Sequence, residues 1–175
     1  MFKCRRATIK DIDSIIKVMQ NTTYAQYVYP GKSLIELRGI ISDFISNPTN
    51  NRIFLVCEEY DSNKITGYFI FDSLKNHLSD VPKKIRLNKK YAYHAGVGVH
   101  SAFRGKGLAT KLTRYAFKVA KDKGYQGMYA DVGSDNDISI KLQENCGFHE
   151  IIRYDSTFRL KGIKNVIFEI KFLKI

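Results

Sequence analysis

Three cysteines, three prolines and no tryptophan occur in this chain of 175 residues. No apolar run approaches the roughly 20 residues that a membrane-spanning helix needs, and the opening MFKCRRATIK lacks the apolar stretch of a secretory signal. The expected location is therefore cytoplasmic, with no membrane partner. Cys4, Cys57 and Cys146 are too few and too widely spaced for a disulfide framework or a zinc site, so they read as structural thiols and no metal is expected. Internal repeats and low-complexity segments are also missing. Hydrophobic residues at 44% and charged residues at 26% exclude disorder, collagen and coiled coil. At roughly 150 residues per domain, the length predicts a single compact domain over residues 1–175, with enough chain to build a core without staples.

Acidic residues are scarce. Seventeen stand against 29 Lys and Arg, giving a net charge of +12, and the excess grows toward the second half of the chain. Such a balance invites a nucleic-acid partner, but the distribution favours an anionic ligand bound by the second half. The densest run, Lys83, Lys84, Arg86, Lys89 and Lys90, reads as a solvated loop.

Periodicity supplies the elements. FKCRRA reads as a strand, and Thr8 with Asp11 resembles a capping box before a helix from Ile9 to Gln20, whose Ile12, Ile15, Ile16 and Met19 form one apolar stripe. A tyrosine-rich linker from Asn21 to Lys32 follows, and Ser33 with Glu36 caps a second helix to Ser46. Arg52 to Glu59 and Ile65 to Asp72 read as an antiparallel hairpin. After a polar stretch from Ser73 to Lys90 come a strand (Tyr91 to His100), a helix (Gly107 to Lys123), a strand (Gly127 to Val132) and a short helix (Asp135 to Cys146). Two last strands, Phe148 to Leu160 and Asn165 to Leu173, complete the order β-α-α-β-β-β-α-β-α-β-β, an α/β (α+β) chain with a mixed sheet covered by helices.

The chemistry concentrates in GVGVHSAFRGKGLATKL, residues 96–112. A strand ends at His100, a basic glycine-rich turn follows (Arg104-Gly105-Lys106-Gly107), and a helix begins. Unpaired N–H groups and the dipole at a helix start attract anions, and glycines let a phosphate come close to the main chain. A P-loop would need Gly at 100 and Ser or Thr at 107, where His100 and Gly107 stand. A dinucleotide fingerprint would need a third glycine where Thr110 stands, with only Asp131 in its favour. A third pattern, Arg-x-x-Gly-x-Ala, is met by Arg104, Gly107 and Ala109 after Val97-Gly98-Val99.

Through this last pattern the chain resembles the GNAT superfamily of N-acetyltransferases. CRRATIKDIDSI resembles that family's first strand and helix, and Asn136 with Gly147-Phe148 resembles its fourth helix and the strand after it. The resemblance implies a mixed, mostly antiparallel central sheet with a splayed middle strand and helices on both faces. It also implies acetyl-CoA as cosubstrate and acetyl transfer to a primary amine of a small molecule, peptide or protein. The amine attacks directly, through a tetrahedral intermediate and with no covalent enzyme intermediate. Val97, Gly98 and Val99 would pair with the pantetheine arm and polarise the thioester carbonyl. Arg104, Gly105, Lys106, Gly107, Leu108 and Ala109 would cradle the pyrophosphate, and Asn136 would fix the pantetheine or the helix start.

Gly96 and Gly98 share one face by alternation, which suits either an approaching ligand or a tightly packed helix. His94 has the same parity and titrates near neutrality, so it is the first candidate base, with Glu59 and Glu58 as alternatives. The family's usual acid is a Tyr seven residues beyond the motif Asn; here that place holds Gln143, and Tyr129 and Tyr154 are substitutes by residue type. The acceptor would meet Tyr24, Tyr27 and Tyr29 in the first loop and Lys161 and Lys164 in the last hairpin. A homodimer is allowed. The competing reading is a non-catalytic CoA-binding or nucleic-acid-binding regulatory module on the same fold, motivated by Gln143 and the charge.

Overall fold

A computed structural model describes residues 1–22, 31–47, 51–77, 85–155 and 163–172. Two compact units divide it: Met1–Phe71 with Gly96–Ala116, and Asp72–Ala95 with Phe117–Ile175.

The first unit opens with β1 (Phe2–Arg6), which pairs antiparallel with β2 (Ile53–Glu59) so that Cys4 faces Cys57 and Arg5 faces Val56. Arg5 ties the ladder to the turn after β1, donating to both oxygens of Asp11 at 2.7 and 2.8 Å and to Glu58 at 2.7 Å. Thr8 and Asp11 form the expected capping box, but it starts a 3-10 turn over Ile9–Asp11, and α1 runs only from Ile12 to Gln20. The reason is local: Asp11 N–H donates to Thr8 O at 2.9 Å, an i+3 bond that tightens the first turn. Ile12, Ile15, Ile16 and Met19 are buried as their spacing requires. Ser33 and Glu36 cap α2 (Leu34–Ser46) reciprocally, and α2 packs on α1 and β2. β3 (Ile65–Ser73) continues the antiparallel sheet, with a bulge in the β2–β3 register between Cys57 and Glu58. Pro48 lies outside the described residues.

The second unit holds the start of β4 (Ala92–Val99), which pairs parallel with β5 (Gly127–Gly133) at Ala92↔Met128, Tyr93↔Tyr129 and His94↔Ala130. β7 (Lys164–Lys171) pairs antiparallel with β5, and β6 (His149–Asp155) with β7. β6 ends at Asp155, and the rest of the strand expected to Leu160, like Leu173, lies outside the described residues. The polar stretch after β3 contains a 3-10 turn, Leu74–His77, organised by the buried carboxylate of Asp72, which accepts from Ser73 N–H (2.7 Å) and Asn76 Nδ2 (2.8 Å). Lys83 and Lys84 are outside the described residues.

The order of neighbours is β1-β2-β3-β4-β5-β7-β6, a mixed seven-stranded sheet in which β4 and β5 pair in parallel, in keeping with a splayed middle strand. Four α-helices accompany it among the described residues: α1, α2, α3 (Leu108–Asp122) and α4 (Asp137–Asn145). α3 and α4 each end at a glycine with positive φ, Gly124 at 84° and Gly147 at 89°. No described helix is long and apolar enough to cross a membrane.

Candidate functional site

The glycine-rich turn lies in the first unit. β4 ends at Val99, His100 Nδ1 accepts from Ala102 N–H (3.3 Å), and a 3-10 turn over Ser101–Phe103 delivers the chain to Arg104. His100 therefore shapes the turn. Gly105 and Gly107 have φ of 76° and 71°, and a Cβ on either would meet nothing within 4 Å. Backbone conformation, not space, demands glycine at both positions. Among the described residues, no side chain accepts from the first N–H groups of the helix after the turn. Lys111 N–H is the first of α3 to find a main-chain partner, donating to Gly107 O at 3.0 Å. Among the described residues, the N–H groups of Leu108, Ala109 and Thr110 have no hydrogen-bond partner, as expected for the first turn of an uncapped helix. Leu108 is buried and anchors this start to the core, so the N–H groups are held in place.

The cations around the turn are already in use. Arg104 donates from Nε to Val99 O (3.2 Å) and from its guanidinium to Asn21 O (2.9 Å), while Ser101 N–H donates to Asn21 Oδ1 (2.7 Å). Asn21, at the C-terminus of α1, therefore fixes the turn, a role that nothing in the spacing of the motif signals. Lys106 Nζ lies 5.1 Å from the Phe103 ring centroid and 6.0 Å from that of Phe2, and Lys64 Nζ lies 5.3 Å from Phe103. Lys111 Nζ donates to Phe2 O.

Val97 and Val99 are half-buried and Gly98 is buried. The reason for Gly98 is packing: a Cβ there would lie 2.5–2.8 Å from Cε1, Cζ and Oη of Tyr68, a fully buried residue of β3. Gly67 is equally constrained, with Gly98 O 2.9 Å and Leu112 Cδ1 3.1 Å from where its Cβ would be. Packing thus explains the glycine at 98, against Tyr68 of β3 rather than against a helix. Glu59 is half-buried in the β2–β3 hairpin, where it accepts from Ser62 Oγ at 2.8 Å. Glu58 is ion-paired with Arg5.

In the second unit, His94 is 8% exposed, and burial pushes its pKa down to about 4. Gln143 Nε2, on α4, lies 3.4 Å from His94 Nδ1, and Gln143 Oε1 is buried with no hydrogen-bond partner. The buried imidazole is therefore neutral near pH 7 and lies against the Gln143 side-chain amide. Asn136 is the N-cap of α4, accepting from Ser139 N–H at 3.1 Å. Tyr129 donates to Glu169 (3.1 Å) and accepts from Asn88 N–H (3.1 Å), and burial pushes its pKa up to about 12. Tyr154 donates to Asp131 and accepts from Asn165 (3.0 Å). Tyr24, Tyr27, Tyr29 and Lys161 lie outside the described residues, and Lys164 opens β7.

The acetyltransferase (GNAT) family model matches residues 17–148, about three quarters of the chain. This chain belongs to the GNAT acetyltransferase family. A curated relative, N-alpha-acetyltransferase 30 of Schizosaccharomyces pombe, is 33% identical over 67 residues, which make up 38% of this chain and 43% of the relative. The match thus spans less than half of that protein. Among solved structures, the yncA protein of Salmonella typhimurium, described with acetyl-CoA as its cofactor, has a TM-score of 0.74 at 20% identity and covers 100% of this chain and 96% of its own. An N-acetyltransferase of Staphylococcus aureus Mu50 has a TM-score of 0.72 at 21% identity, with 98% of each chain covered. At these identities the likeness is one of fold. Acetyl-CoA is the acetyl donor of the family.

Proposed function

We propose that this chain is a single-domain N-acetyltransferase over residues 1–175 that moves an acetyl group from acetyl-CoA to a primary amine by direct attack. The observation that carries the reading is the uncapped start of α3 behind Gly105 and Gly107. There the main-chain N–H groups of residues 105–109 would receive the pyrophosphate, with Lys106 adding charge. Val97 to Val99 would align the pantetheine arm by main-chain pairing, and Asn136 would fix the start of α4. When bound, acetyl-CoA supplies the acetyl group as an activated thioester.

Proton handling follows from the state of His94. Burial keeps the His94 imidazole neutral, with the Gln143 side-chain amide beside it. His94 is the first candidate to take the amine proton. Glu59 is the remaining candidate to take the amine proton, through water. The +12 charge suits an acceptor that is not itself polycationic, such as an amino acid or the N-terminus of an acidic peptide.

The test is calorimetric titration of the full chain with acetyl-CoA, joined to a free-thiol assay over a panel of amines, amino acids and peptides. Binding with thiol release on at least one amine is expected. Binding without turnover on any acceptor would replace this reading with the regulatory module, and NAD binding without CoA binding would overturn both.

A further inference from the structure

Outside this site, the sheet brings together two of the three thiols. Cys4 of β1 and Cys57 of β2 are directly opposed in the antiparallel register, so their side chains stand on the same face. Opposed residues in such a ladder have Cα atoms about 4.5 to 5.5 Å apart, inside the 4.4–6.8 Å window of disulfides. Cys4 is half-buried on a strand at the edge of the sheet, whereas Cys57 is fully buried. An oxidant therefore meets Cys4 first, with Cys57 directly behind it. Cys146 sits at the C-cap of α4, outside any strand ladder.

We infer that Cys4 and Cys57 form a reversible cross-strand disulfide, which makes this ladder a modification site for small disulfides such as oxidised glutathione. Cys4 sulfur attacks one sulfur of the glutathione disulfide. That S–S bond breaks, and the first glutathione leaves with the proton that the pair has released. Cys57 sulfur then attacks Cys4 sulfur of the mixed disulfide, and the second glutathione leaves with the Cys57 proton. Two protein thiols are oxidised and one glutathione disulfide is reduced. The hydrogen bond between the two thiols lowers the Cys57 pKa to about 7 and pushes that of Cys4 up, so the first proton is lost from Cys57, and Cys4 becomes the attacking sulfur by passing its own proton to Cys57. The pair therefore gives up its first proton more readily than a lone thiol does.

The reduced full chain should be incubated with oxidised glutathione, its remaining thiols alkylated in denaturant, and the digest mapped by mass spectrometry. The expected product is a Cys4 peptide linked to a Cys57 peptide, with Cys146 alkylated and the intact chain lighter by two hydrogens. Cys4→Ser, at a partly exposed position, should fold and give no linked peptide. Cys57→Ala should strand glutathione on Cys4, and Cys57→Ser serves if the alanine variant fails to fold. Recovery of Cys4 and Cys57 both alkylated, glutathione stranded on Cys4 of the unaltered chain, or equal linkage of all three cysteine pairs would overturn the inference.

Discussion

Adding one methyl group at Gly98 separates the two accounts of that glycine. In Gly98→Ala the new Cβ would lie 2.5 Å from Tyr68 Cε1 and 2.7 Å from Cζ, against the 3.4–4 Å of ordinary contact. Something must move by about an ångström, and Tyr68 has nowhere to go. It is fully buried, and its hydroxyl lies 3.5 Å from Thr22 Oγ1. Overpacking of this kind costs about 1–3 kcal/mol, and a fully enclosed ring places this case near the upper end. For a chain of this length, a loss of about 3 kcal/mol lowers Tm by about 6–12 °C. The decisive measurement is a double-mutant cycle by urea denaturation. Tyr68→Leu alone leaves a cavity and destabilises, but it removes the ring that the added methyl group would strike. The double variant should thus be more stable than the sum of the single effects predicts, by about 1–3 kcal/mol of coupling. If Gly98→Ala keeps its stability and loses only affinity for acetyl-CoA, the glycine serves the ligand and the packing argument is refuted.

Two further perturbations probe the turn and the buried imidazole. Gly107→Ala meets no clash but holds an L-residue at a φ of 71°, a strain of about 1–2 kcal/mol that the turn relieves by re-aiming its N–H groups. Calorimetry should find acetyl-CoA binding weakened about tenfold, with Gly107→Asn, which tolerates this conformation, closer to the unaltered chain; equal affinities in all three would contradict the cradle. His94 binds its proton at about 4 when folded and near 6.5 when unfolded. Between these values the unfolded chain holds more protons, so stability rises with pH from 4 to 6.5, by about 3 kcal/mol from this group, and stays in place above. His94→Leu should flatten that part of the urea-midpoint profile; an unchanged slope would mean that the ring is solvated.

Local signals in the sequence survive in the fold. Both capping boxes are present, and the apolar stripe of α1, the β2–β3 hairpin and the glycine stops of α3 and α4 lie where spacing put them. What escaped the sequence depends on residues distant along the chain. Alternation placed Gly98 on one face but could not say what filled the space, because the answer, Tyr68, is 30 positions earlier on another strand. Parity likewise marked His94, whereas its burial and its contact with Gln143, 49 positions later, set its protonation. Boundaries shifted where side chains redirect the main chain. Asp11 turned the start of the first helix into a 3-10 turn, and Asp72 gathered another from a stretch that reads only as polar.

Arg104 shows how a residue of a ligand-binding motif can act through structure. In the sequence it is a cation beside an anion site. In the fold its guanidinium closes on Val99 O at the end of β4 and on Asn21 O at the end of α1. The carbonyls that end a helix carry partial negative charge, so a cation there is favoured for reasons that need no ligand. With Ser101 N–H on Asn21 Oδ1, these bonds anchor the turn on both sides and fix where residues 105–110 lie. Lys106, set over Phe103 and Phe2, is also held by its neighbours. In the proposed site, recognition of a diphosphate would therefore fall mainly to the main-chain N–H row at the start of α3, whose direction does not depend on flexible side chains. The arginine holds the glycines in position, and the glycines adopt at least cost the positive-φ conformation that the turn requires.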